Sequence, residues 1–109
     1  MSPPSEAFAA GCASAALAFD AARHGAQAQR EYGRGLDGYL SAITDLLMSA
    51  AEQSGDALDP ARAREAAIAL FSQMVGALVI SRAVAAANPA LSDEVIASNR
   101  QALLRPQAG

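Results

Sequence analysis

The sequence predicts an all-α protein, an antiparallel bundle of four helices that dimerises through a second four-helix bundle made by the last two helices of each chain. Three observations predict the helices. Apolar residues recur at spacings of three and four through most of the chain, candidate helices are bounded by Gly, Asn and Pro signals, and no β-branched alternating segment lies between turn residues. Composition agrees: 52% of the 109 residues are hydrophobic but only 5% aromatic, so the interior has to be built from Ala, Leu, Val and Ile at close helix spacing. One domain is expected at this length, with part of its stability coming from association.

Ser2 to Ser5 reads as an extended leader, because Pro3 and Pro4 disfavour helix before them and Ser5 can cap the helix after it. The first helix is expected over 6–24, with Phe8, Cys12, Ala15, Phe19 and Ala22 on one face and Gly25 as a left-handed end. Near that end Asp20 and His24 form an i,i+4 pair, and a protonated histidine suits the negative pole of a helix. The second helix is expected over 26–54. Its stripe is Tyr32, Leu36, Tyr39, Leu40, Ile43, Leu46, Leu47 and Ala50, and Gly55 closes it.

Asp59 followed by Pro60 starts the third helix, expected over 60–87 and about 40 Å long at 1.5 Å per residue. Within it the stretch from Ala66 to Asn88 is apolar almost all round. Ile68, Phe71, Val75, Leu78 and Val79 fall near one face while Leu70, Met74, Ala77 and Val84 fall on neighbouring ones. Ser72 and Gln73 interrupt the run and Arg62, Arg64, Glu65 and Arg82 flank it, so a membrane span is not expected. A helix buried on one side by its own chain and on the other by a second copy fits better. Asn88, Pro89 and Ala90 are expected to break it, and the fourth helix is expected over 92–104. Ser92 is its predicted N-cap, Asp93 and Glu94 suit its positive end, Leu91 staples onto Ile96, and Val95, Ile96, Asn99, Leu103 and Leu104 form its apolar stripe.

Several function classes lack their residues. Eleven acidic groups outnumber eight basic ones and the arginines are scattered, which argues against direct nucleic-acid contact. Gly33, Gly35 and Gly38 spell G-x-G-x-x-G, but the polar, helix-forming residues before them are not the buried strand a nucleotide fold requires. Close approach of another helix, or a loosened helix start, explains these glycines better. Cys12 has no second cysteine for a disulfide or metal and reads as a small core residue, and His24 reads as a surface cap. Glu31, Asp37, Asp45 and Glu52 never form an E-x-x-H pair, so neither a di-iron site nor an enzyme is expected, and no cofactor or metal. Arg82 serves either an interface or a snorkelling surface position. The N-terminus shows no secretory signal, which makes the cytoplasm the default location.

Taken together, SQMVGALVISRAVAAANPALSDEVIASNRQALL resembles the end of a bacterial tetracycline-repressor (TetR) family regulator. Before it, GCASAALAFDAARHGAQAQREYGRGLDGYLSAITDLL resembles the G-C-x-x-A-A-L-A pattern and following long helix of that family's regulatory domain. The GALVISRAV segment followed by a P-x-L-S-[DE] helix start carries the resemblance in order and spacing. It implies a C-terminal ligand-sensing domain whose last two helices pair with their two-fold mates. Val75, Leu78, Val79, Arg82, Ile96, Asn99 and Leu103 are the expected dimer interface. Phe19, Tyr39, Phe71 and Met74 are the expected wall for a small apolar ligand, although core packing explains each of the four equally well. The family's helix-turn-helix is not found before these segments, so the resemblance implies a truncated regulator, a stand-alone dimerisation domain, or a partner that removes one DNA-binding head from a full-length relative. A helical protein-interaction module with no ligand is the rival expectation.

Overall fold

The computed structural model describes residues 16–104, and among them it is helical throughout with no strand. The helices are α1 (described over 16–23), α2 (Ala26–Gln53), α3 (Pro60–Val84) and α4 (Pro89–Leu104). The expected leader, the start of the first helix with Phe8 and Cys12, and the end after Leu104 lie outside the described residues. Two compact units are present, with the division inside α3: residues Ala16–Phe71 belong to one, and the chain from Ser72 onward belongs to the other.

In the first unit α1 ends where the His24 amide donates to the Ala21 carbonyl at 3.2 Å, and Gly25 comes next at φ 88°. That glycine is also the N-cap residue of α2, its carbonyl accepting from the Gln29 amide at 3.1 Å. The expected positive φ is therefore present, at a joint shared by two helices. At the other end of α2 the Asp56 amide donates to Ala51 O (2.8 Å) and the Gly55 amide to Glu52 O (3.1 Å), with Gly55 at φ 80°. This is a Schellman closure, which satisfies two carbonyls that the helix end would leave open.

The side of α2 that is covered is a regular helical row: Tyr32, Leu36, Leu40, Ile43 and Leu47, with Leu40 only 7% exposed. Tyr39 and Leu46 stand at the edge of that row and remain 49% and 70% exposed. The apolar face of α2 is thus wider than the surface that packs. α3 presents Ala63 and Ala67, both with no exposed area, and the buried Phe71. Contacts join the two helices: Tyr39 stacks on Phe71 with ring centroids 5.8 Å apart, and Arg64 pairs with the Asp37 carboxylate and donates to Ser41 Oγ at 3.3 Å. The Arg64 ion pair is exposed, so it contributes less than about 1 kcal/mol.

In the second unit two boundaries differ from expectation. α3 ends at Val84 rather than Ala87, and α4 begins at Pro89 rather than Ser92. Asn88 is the cap: its Oδ1 accepts the Leu91 amide and its carbonyl accepts the Ser92 amide, both at 3.1 Å. Proline at the first helical position lacks only an amide that would have no partner there, and it keeps the residue before it out of the helical region. The proline expected to break a helix therefore opens one. With this start Asp93 and Glu94 fall beyond the first turn, and Leu91 lies inside the helix, so neither the expected dipole contact nor the staple onto Ile96 forms as predicted.

Candidate association surface

α3 is the most apolar helix described, and by length and composition alone it could cross a membrane. Its uncharged run from Ala66 to Ser81 covers only about 24 Å at 1.5 Å per residue, short of the roughly 30 Å hydrocarbon layer. Yet only 28% of its most apolar stretch is buried within the chain. From Ser72 onward the covered row is Ala77, Leu78 and Ser81, the last with its hydroxyl donating to Leu78 O at 3.1 Å. Ile80, on another side of the helix, stays 56% exposed.

α4 is covered still less. None of its residues is buried, although Val95, Ile96, Asn99 and Leu103 recur at helical spacing and are each half-buried. One amide clasp joins it to α3: Gln73 Nε2 donates to Asn99 Oδ1 at 3.1 Å, and Asn99 Nδ2 donates to Val95 O at 2.8 Å. Hydrogen-bonding an amide at a half-buried position avoids most of the cost of taking it out of water.

Of the expected interface residues, Val75, Val79, Ile96, Asn99 and Leu103 are half-buried, Leu78 is buried at 7% exposed, and Arg82 is exposed. Arg82 sits in the last turn of α3, where a cation meets the negative helix end. Asn99 faces Gln73. At 100° per residue, Val75, Leu78, Val79 and Arg82 fall within an arc of about 100° on α3, and Val75 and Arg82 lie more than 150° round the helix from Gln73. Gln73 was missed as a site residue because one amide in an apolar helix reads as an interruption; its signal was the second amide, Asn99, on the neighbouring stripe.

Of the expected ligand wall, Tyr39 and Phe71 meet in the stack between α2 and α3. Phe19 on α1 is 64% exposed, and Met74 is half-buried in the second unit. Gly33, Gly35 and Gly38 lie inside the unbroken α2, and a Cβ at any of them would meet nothing within 4 Å. Neither a phosphate cradle nor a close helix neighbour accounts for them among the described residues. His24 Nδ1 donates to the Asp20 carbonyl at 2.7 Å and stands 3.2 Å from the Asp20 carboxylate, an exposed end-of-helix cap. Among the described residues no three His, Cys, Asp or Glu side chains are grouped so that they could hold a metal ion. No family model, curated protein or solved structure matches this chain.

Proposed function

We propose that this chain is the ligand-sensing and dimerisation domain of a TetR-like transcriptional regulator, working in the cytoplasm as a homodimer joined through α3 and α4. The observation that carries the pairing is α4 itself. An amphipathic helix of 16 residues with no buried residue gains little from the chain it belongs to, and a helix is normally stabilised by the packing of its apolar face. A second copy supplies the missing cover. The order of the two TetR-like elements, with GALVISRAV on α3 and the proline-led start on α4, supports the regulator reading. DNA contact is not ascribed to these residues, whose acidic groups outnumber their basic ones, and the reading needs no cofactor.

A second reading, a helical pairing module without a small-molecule ligand, is favoured by the Tyr39–Phe71 stack, since two rings expected to line a pocket occupy one another. Sensing then requires Tyr39, half exposed, to swing aside for an apolar guest. Titration with a naphthalene sulfonate probe separates the readings. Saturable binding at one site per chain that is weakened by Tyr39→Ala supports sensing, whereas no saturable binding, or binding indifferent to that change, supports the module.

A further inference from the structure

Resting on the ligand-sensing reading, we infer that the guest admitted beside Phe71 is an apolar molecule with an anionic head, a carboxylate or sulfonate, and that Arg64 receives that head. Arg64, Ile68 and Phe71 stand four and three residues apart on α3, within an arc of about 60° at 100° per residue. A cation, an aliphatic side chain and a ring therefore lie in one row, all inside the first unit. The two ends of the row meet one short stretch of α2. Arg64 pairs with Asp37 and donates to Ser41 Oγ, and Phe71 stacks on Tyr39, which lies between those two in the sequence. Ile68, in the middle, is 45% exposed.

A guest whose apolar end enters between Phe71 and the displaced Tyr39 ring runs over Ile68 and takes it out of water. Seven residues at 1.5 Å each bring its other end level with Arg64 after about 10 Å. What the guest meets there sets its chemistry. A guanidinium carries five N–H donors, and Arg64 uses one on Asp37 and one on Ser41. The other three have no partner among the described residues, on a side chain that is 36% exposed. Such donors favour a charged acceptor, since charge-assisted hydrogen bonds are roughly twice as strong as neutral ones. A neutral alcohol of the same shape gains less, and a cation is repelled. Asp37 competes for the same guanidinium, but that pair is exposed and too weak to bar a second anion.

The test uses the full chain and two fluorescent probes of one shape, naphthylacetate and the neutral naphthylethanol. The wild type is expected to bind the acid at least about tenfold tighter than the alcohol. Arg64→Gln should abolish that preference by weakening the acid. Asp37→Asn removes the competing anion and should strengthen the acid about two- to fivefold. Each variant replaces one member of an exposed pair, so far-UV circular dichroism stays at the wild-type level. Equal binding of the two probes, a preference that survives Arg64→Gln, or an acid weakened by Asp37→Asn overturns the anionic head. If the alcohol still saturates one site per chain that Tyr39→Ala weakens, the sensing reading stands without it. Saturation by neither probe removes the sensing reading and this inference together.

Discussion

Phe71→Ala is expected to cost about 3 kcal/mol or more of unfolding free energy, the usual range for emptying a buried phenylalanine site. The ring is 8% exposed and stacks on Tyr39 at 5.8 Å, so its removal loses apolar burial and an aromatic contact together, and leaves a void that neighbours fill only in part. Tyr39→Ala should cost far less, because Tyr39 keeps 49% of its surface in water. In a double-mutant cycle the two changes should couple by about 0.5–1.5 kcal/mol, the range measured for aromatic pairs. Urea unfolding at one fixed chain concentration measures all three, because the proposed pairing would make apparent stability depend on concentration. A loss below about 1 kcal/mol for Phe71→Ala would mean that the ring is not a core element and that the first unit is held elsewhere.

The second large effect has the opposite sign. Replacing Gly33, Gly35 and Gly38 together by Ala is expected to stabilise the chain by about 2 kcal/mol, since each glycine inside a helix costs roughly 0.5–1 kcal/mol relative to alanine. All three lie within α2, none has a positive φ, and the added methyl groups meet nothing within 4 Å. The same urea experiment reads the gain as a later midpoint with an unchanged slope. A loss of stability would show that another helix approaches these positions in the assembled protein.

How far the sequence could be read depends on how local each signal is. Gly25, Gly55 and the Asp59–Pro60 pair act within one turn of backbone, and α2 and α3 begin where those signals place them. The start of α4 was misplaced because two good caps, Asn88 and Ser92, stand four residues apart. Pro89 decides between them in the direction opposite to its reading as a breaker. Side-chain placement was harder to foresee. On α2 the apolar stripe was legible but its centre was not, because Tyr39 and Leu46 extend the face past the packed row. On α3, apolar on nearly every side, periodicity carries no phase, so the sequence did not single out Ala77, Leu78 and Ser81 as the covered row. Tyr39 and Phe71 were expected beside Phe19 and Met74 in a ligand wall or in the core, and the stack of their two rings on each other was not read from the sequence.

The proposal that α3 and α4 pair with a second copy is tested most directly by the mass of the full chain in solution, measured by sedimentation equilibrium over a range of concentrations. Two chains per particle at tens of micromolar, dissociating on dilution into single chains, is the predicted result. A single chain of 11.1 kDa at every concentration would contradict it.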